Sequence, residues 1–129
     1  MIVVDTSVWI FALRNADRDS VAKLQFETGR GNVLVGDIVL LEILRGARDD
    51  RHAAFLEAQL RKYPVVPMMD GRLAPVAAAN YRRLRAQGIT VRALADIIIA
   101  TYCIEHGHQL LHDDRDFHPM AQHLGLQMA

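Results

Sequence analysis

The chain has 129 residues, of which 51% are apolar, and its 15 basic and 15 acidic side chains leave a formal net charge of zero. This length and composition indicate one globular domain, residues 1–129, and exclude a disordered chain or a globally basic nucleic-acid binder. No apolar run approaches the ~20 residues of a membrane helix and no leader peptide is recognisable, so we expect a cytoplasmic protein without a membrane partner.

The first half of the chain alternates short β-branched runs with helical patterns. Residues 2–5 are predicted to form a buried strand, after which Thr6 or Ser7 can cap a helix that continues to Leu13. The next predicted elements are a helix over residues 17–28, a strand over 32–35, a helix over 36–46 with Asp37 as its cap, a helix over 49–62 and a strand over 63–67.

The second half repeats the alternation. The predicted elements are a helix over residues 71–87, a very apolar helix over 93–106, a strand over 109–112, a short helix over 120–124 and an edge strand over 126–128. Cys103 is the only cysteine, which excludes an internal disulfide and predicts a small buried hydrophobic side chain. Short strands separated by helices indicate an α/β fold, with a central parallel sheet of about five strands and helices on both faces.

Acidic side chains lie at the edges of several apolar segments. They are Asp5, Glu42, Asp96, Asp114 and Asp116. Burying a charge without a partner costs several kcal/mol, and neighbouring carboxylates repel one another. In parallel sheets, ligands bind beyond the carboxyl ends of strands, where Asp5 and Asp114 are predicted to lie. Because a hard cation such as Mg²⁺ relieves this repulsion, the sequence predicts a metal-dependent enzyme.

Each acid also has a structural explanation. Asp5 could cap the first helix, and Asp96 could gain ~0.3–1 kcal/mol from the dipole of its own helix. Glu42 could lie on an exposed face, and the acids around Arg115 could form a solvated turn with a local ion pair. We favour one shared metal site, because it replaces several independent explanations.

Two further clusters of side chains allow other functional interpretations, a zinc site and a nucleic-acid contact. Histidines crowd the C-terminal third, at positions 106, 108, 112, 118 and 123, but their spacing matches no paired helical zinc motif, which disfavours a zinc site. Arg82, Arg83 and Arg85 lie beside Tyr81 on one helix. Such a cluster is usually a solvated face, with nucleic-acid contact as the alternative.

Four short motifs together resemble the PIN domain family. They are residues 1–9, residues 36–46 with Glu42, residues 91–100 with Asp96, and residues 110–117 with Asp114 and Asp116. They occur in order over the whole chain, at the length of the VapC-type toxins of bacterial toxin–antitoxin pairs. The resemblance implies a Mg²⁺- or Mn²⁺-dependent endoribonuclease that cleaves RNA, forms a homodimer and is silenced by a cognate VapB-type antitoxin.

The same resemblance implies roles for individual acids. Asp5, Asp96 and Asp114 would be the metal ligands. Glu42 would bind the metal directly or through a water, and Asp116 is an alternative to Asp114 or acts beside it. All five are therefore candidate catalytic residues.

Other residues are candidates for supporting roles. Ser7 and Arg92 could orient a carboxylate or contact an RNA phosphate. Trp9, Phe11 and Leu13, with the helices over residues 17–62, add apolar surface beyond what the core of a small domain requires, which indicates a two-fold homodimer. The resemblance implies that the antitoxin lies along a groove leading to the acids.

Two other classes of protein are alternatives. A phosphoacceptor receiver-like domain would need a lysine after a late strand, and the only lysines, Lys23 and Lys62, are not placed there. A catalytically inactive interaction module would have no reason to carry all five acids.

Overall fold

A four-stranded parallel sheet forms the centre of the computed structural model, which describes residues 1–129. The strands are β1 (Ile2–Val4), β2 (Val33–Gly36), β3 (Val65–Val66) and β4 (Gln109–Leu111), in the spatial order β3-β2-β1-β4. In β1, Val3 pairs with Leu34 on one side and with Leu110 on the other. The chain builds the sheet outward from β1 through β2 to β3 and then returns beside β1, so the topological switch point lies between β1 and β4.

Helices connect and cover the strands. They are α1 (Thr6–Leu13), α2 (Asp19–Gly29), α3 (Asp37–Arg45), α4 (Asp50–Leu60), α5 (Leu73–Ala86), α6 (Leu94–His106) and α7 (His118–Leu124), with a 3-10 turn at Arg115–Phe117. α1 packs against α2 and α3, whereas α5 packs against α6 and α7. No helix combines the length and the apolar character required to cross a membrane.

The core forms where the strands meet the most apolar helix. All of β1 is buried, and α6 buries Ile97, Ile99 and Cys103. Burial raises the pKa of the Cys103 thiol to about 12, so this side chain stays uncharged and packs as a small hydrophobic group, as predicted. The buried faces of α6 therefore fix the helix whose first turn carries Asp96.

The sheet has four strands where the sequence indicates about five. Residues 126–128 make only one parallel bridge to the sheet, between Leu110 and Met128. Gly125 ends α7 with a left-handed φ of 78°, and the side chain of Leu126 then enters the core. A segment that follows a tight turn and is anchored by one side chain has little backbone left for regular pairing, so no fifth strand forms.

Two helix caps differ from those predicted. The carboxylate of Asp5, and not Thr6 or Ser7, caps α1. Asp37 lies inside the first turn of α3, where its carboxylate accepts a hydrogen bond from the backbone N–H of Met68 (3.1 Å). The cap position of α3 belongs to Gly36, so Asp37 links two loops at the end of β2 instead.

Candidate active site

Asp5 directly follows the central strand and is almost fully buried, with 4% of its surface exposed. Its Oδ2 accepts hydrogen bonds from the backbone N–H of Ser7 (3.0 Å) and from Ser7 Oγ (2.6 Å). Burial raises the pKa of Asp5 above its ordinary value, and the two Ser7 bonds partly oppose that effect. The cap role and a site role therefore coincide in one carboxylate.

Three further carboxylates meet at the switch point. Oxygen atoms of Asp96, Asp114 and Asp116 all lie within 4.8 Å of one another. Asp96 is in the first turn of α6, and Asp114 follows β4, where its Oδ1 accepts the backbone N–H of Asp116 (2.9 Å). The fold thus brings α6 and the β4 loop to the edge of the sheet that also carries Asp5.

The electrostatics of Asp96 connect all five acids. Its pKa is raised to about 7, first by burial and then by the negative charges of Asp5, Asp114, Glu42 and Asp116. A carboxyl with such a pKa is partly protonated near neutral pH, because a further negative charge in this cluster is unfavourable. The fold therefore concentrates negative charge around Asp96.

Glu42 reaches the cluster from α3. Its Oε1 accepts a hydrogen bond from Thr6 Oγ1 (2.8 Å), which lies 36 residues earlier in the chain. Leu40 and Ile43 turn into the core, so Glu42 is half-buried between them and the surface. Thr6 is a site residue that the sequence analysis missed, and no local spacing in the sequence connects it with Glu42.

The alternative explanation of a local ion pair with Arg115 does not hold, because Arg115 forms no salt bridge with the neighbouring acids. Asp113 instead pairs with Arg18, whose Nε lies 2.6 Å from Asp113 Oδ2. Hydrogen bonds from Arg18 and Ser20 lower the pKa of Asp113 below its ordinary value. Asp113 is therefore a charged carboxylate held beside the site. Its partners are Ser20 on α2 and Arg18, the residue directly before α2.

A cleft of about 270 Å³ opens beside the carboxylates. Arg92 and Arg115 line it together with Asp96 and Asp116. Arg92 is exposed. Arg115 is an additional cation that the sequence analysis treated only as an ion-pair partner. The cleft therefore places two arginines beside the carboxylates, where they could bind an anion.

The comparisons with known proteins agree with this architecture. A model of the family described as "PIN domain" matches residues 2–122. The chain belongs to the PIN domain family. Ribonuclease VapC11 of Mycobacterium tuberculosis (strain ATCC 25618 / H37Rv) is 31% identical over 131 residues, covering 100% of this chain and 98% of that relative. The resemblance of the four motifs to PIN domains of the VapC type is confirmed, and a receiver domain is excluded.

Solved structures share the fold of this PIN domain. VapBC2 from Rickettsia felis, bound to a DNA fragment from its promoter, superposes with a TM-score of 0.80 at 17% identity, covering 100% of this chain and 98% of that chain. DNA-bound VapBC from Salmonella typhimurium gives a TM-score of 0.76 at 20% identity, with coverages of 99% and 96%. At these identities the likeness establishes the fold.

The donor chemistry of the PIN domain site is oxygen alone. The one group of side chains close enough to share a metal ion consists of Asp96, Asp114 and Asp116, without a histidine or the cysteine. His112 is near, but its Nδ1 accepts the backbone N–H of Asp114 (3.1 Å) and burial lowers its pKa. Carboxylate oxygens are the donors that Mg²⁺ and Mn²⁺ prefer.

The basic cluster on α5 lies on a different surface. Arg82 and Arg85 line an apolar groove between α5 and α6, and Arg83 donates to the backbone carbonyl of His123 (3.2 Å). None of them lines the cleft beside the acids. Their placement agrees with a solvated helix face.

Proposed function

We propose that this PIN domain is a Mg²⁺- or Mn²⁺-dependent endoribonuclease, the toxin of a toxin–antitoxin pair. The observation that carries the proposal is the convergence of Asp96, Asp114 and Asp116, whose carboxylate oxygens lie within 4.8 Å of one another. The raised pKa of Asp96, about 7, supports it. Such a cluster is unfavourable in an inert protein and useful in a metal-dependent nuclease. The printed name of the relative, ribonuclease VapC11, supports RNA as the substrate.

The residues present fit a divalent cation. The carboxylates close enough to share one ion are those of Asp96, Asp114 and Asp116. We assign Asp96 and Asp114 as ligands, with Asp116 beside them. We also assign Asp5, which lies outside that group, because the charge of Asp114 adds to the effect of burial in raising the Asp5 pKa. When bound, the cation supplies a Lewis acid that neutralises the carboxylates, activates water and attracts the phosphodiester. The cation also reverses the sign of the local potential, which otherwise repels RNA.

Side chains of this PIN domain would orient the carboxylates and transfer protons. Ser7 holds one oxygen of Asp5, and Thr6 holds Oε1 of Glu42 and leaves Oε2 to accept a proton from an attacking water. Asp96 would hold the cation in its ionised form. Arg92 and Arg115 line the cleft and would bind RNA phosphates.

RNA cleavage with and without EDTA tests the proposal. Asp96→Asn should reduce cleavage by about 100-fold or more, because it removes a charged ligand. Asp50→Asn is the matched control, since Asp50 also lies in the first turn of a helix but is exposed on α4. Wild-type protein that binds Mn²⁺ and leaves RNA intact under all conditions would favour the inactive interaction module.

We infer that an antitoxin of the VapB type covers the α1–α4 side of the domain. Trp9 is not available for it, because its side chain is buried and its Nε1 donates to the carbonyl of Val4 (3.2 Å). Other apolar side chains are exposed instead, including Leu41 at 62% and Phe55 at 58%. Leu41 directly precedes Glu42, so a peptide that covers it would also reach the acids.

Leu41→Asp should weaken antitoxin binding at least tenfold in a titration, by placing a charge in an apolar contact.

We also infer a homodimer through α5 and α6. A groove of about 450 Å³ between these helices is lined mainly by apolar side chains, among them Tyr81 and Ile98. Leu94 lies at its edge with 70% of its surface exposed. An apolar face of this kind is typical of a protein–protein contact. Leu94→Glu should convert a dimer into a monomer in sedimentation at micromolar concentration, and a monomeric wild type would contradict the inference.

A further inference from the structure

Asp113 is held by three donors on one side of the site. Its Oδ2 accepts Nε of Arg18 (2.6 Å) and Oγ of Ser20 (2.8 Å), and its Oδ1 accepts Nη2 of Arg18 (2.8 Å). The guanidinium of Arg18 also lies over the ring of Phe11, 4.1 Å from its centroid. The start of α2 and the side chain of Phe11 on α1 therefore fix the carboxylate of Asp113 in one orientation.

The backbone of Asp113 faces the catalytic acids. Its N–H donates to Ser7 Oγ (2.9 Å), and Ser7 Oγ donates in turn to Asp5 Oδ2 (2.6 Å). Asp114 is the next residue in the chain. One residue thus connects the beginning of α2 to two of the assigned metal ligands, Asp5 through Ser7 and Asp114 through the backbone.

The other hydrogen bonds of Asp114 in the loop after β4 are local, to His112, Asp116 and Phe117. The contacts of Asp113 are the ones that tie this loop to Ser20 on α2 and to Ser7 on α1. β4 ends at Leu111, and the 3-10 turn begins only at Arg115. Meanwhile the negative charges of Asp5 and Asp96 repel Asp114. A loop that carries a repelled ligand moves outward unless a contact on its other side opposes the movement.

We propose that Asp113 is a positioning residue whose bidentate pair with Arg18 holds Asp5 and Asp114 in the geometry that the cation requires. This inference rests on the proposed function and deepens it, because it names the residues that arrange the metal site. Residues that orient ligands in this way commonly change metal affinity by about 10–100-fold when removed.

An exposed ion pair elsewhere in the chain provides a matched control. Arg61 Nε lies 2.6 Å from Glu57 Oε2 on α4, the same separation as in the Arg18–Asp113 pair. The Arg61–Glu57 pair joins residues four apart on one helix, so it cannot fix two separate segments relative to each other. The Arg18–Asp113 pair joins residues 95 apart and fixes the relative positions of two loops.

The experiment compares Asp113→Ala, Arg18→Ala, the double variant and Glu57→Ala. We would measure Mn²⁺ affinity by calorimetry, and amide hydrogen exchange of residues 112–117 in EDTA. Each single variant should bind Mn²⁺ about tenfold more weakly and exchange these amides faster. Because both substitutions break the same pair, the double variant should bind Mn²⁺ no more weakly than the single variant with the lower affinity. Glu57→Ala should match the wild type in both measurements.

RNA cleavage provides a third readout. In Asp113→Ala, kcat at low Mn²⁺ should fall with KM for RNA unchanged, and excess Mn²⁺ should restore the rate because every ligand is still present. Asp113→Ala that matches Glu57→Ala in Mn²⁺ affinity and in hydrogen exchange would overturn the inference. A wild type that binds Mn²⁺ but does not cleave RNA would contradict the proposed function alone, since affinity and exchange still test the positioning role.

Discussion

Replacing Asp96 with Asn should abolish cleavage and at the same time stabilise the metal-free protein. Asn keeps the shape of the side chain and removes one negative charge from the cluster around the switch point. The pKa of about 7 for Asp96 measures how strongly the folded protein resists that charge. Without a cation, the wild-type site is therefore a source of instability that this substitution removes.

The size of the effect follows from the pKa. A shift from 3.8 to about 7 corresponds to about 4 kcal/mol at pH values above both. Because Asp96 is only half-buried, solvent screens much of this, and we expect a gain of about 1–2 kcal/mol. The folded state prefers the protonated form of Asp96. The contribution of Asp96 to the free energy of unfolding is therefore fully present below about pH 4 and is lost as pH rises from about 4 to about 7.

The assay is thermal unfolding in EDTA at pH 5 and pH 8. At pH 8, Asp96→Asn should melt about 3–8 °C above the wild type. At pH 5 the difference should be clearly smaller, because part of the destabilisation develops only as pH rises from 5 to about 7, where Asp96 of the folded wild type loses its proton. Addition of Mn²⁺ should reverse the order, since the cation stabilises the wild type by binding its folded state.

Three results would refute this reasoning. Equal melting temperatures at pH 8 would mean that the carboxylates relax apart without a cation. A stabilisation of equal size at pH 5 and pH 8 would show that the gain comes from packing and not from charge. Retained cleavage would mean that Asp96 is only a residue of the helix terminus. Asp50→Asn, measured beside it, accounts for any general effect of losing an acid in a first helical turn.

Other parts of the site and core give further predictions. Arg92→Glu should weaken RNA binding in Ca²⁺ and flatten its dependence on salt, whereas Arg85→Glu should do neither, which filter binding over a salt series can show. Thr6→Val should reduce cleavage about tenfold without unfolding the protein, because the orientation of Glu42 is lost. Asn80→Ala should destabilise the domain by about 1–3 kcal/mol in urea unfolding, since it leaves a buried hydroxyl on α6 without its partner.

The sequence predicts what local patterns determine. The β-branched run before Asp5 and the apolar run after Asp96 predict β1 and α6, and each acid is conspicuous because it borders such a run. The contacts that fix these acids could not be predicted. Thr6 meets Glu42 across 36 residues, and Arg18 meets Asp113 across 95. Such pairs depend on the order of strands in the sheet, which leaves no periodic signal in the chain.

The hydrogen bonds in the site are unevenly distributed, and this has a consequence for cation binding. Asp5, Glu42 and Asp114 each accept a hydrogen bond, whereas the carboxylates of Asp96 and Asp116 accept none. The repulsion between carboxylates is therefore strongest at oxygens of Asp96 and Asp116, which accept no hydrogen bond from the protein. A cation that binds these oxygens would relieve the repulsion. Because Asp96 has a pKa of about 7, Mn²⁺ binding should release up to one proton at pH 6 and almost none at pH 8.5. Calorimetry in buffers of different ionisation enthalpy counts these protons, and no release at pH 6 would show that Asp96 is ionised before the metal arrives.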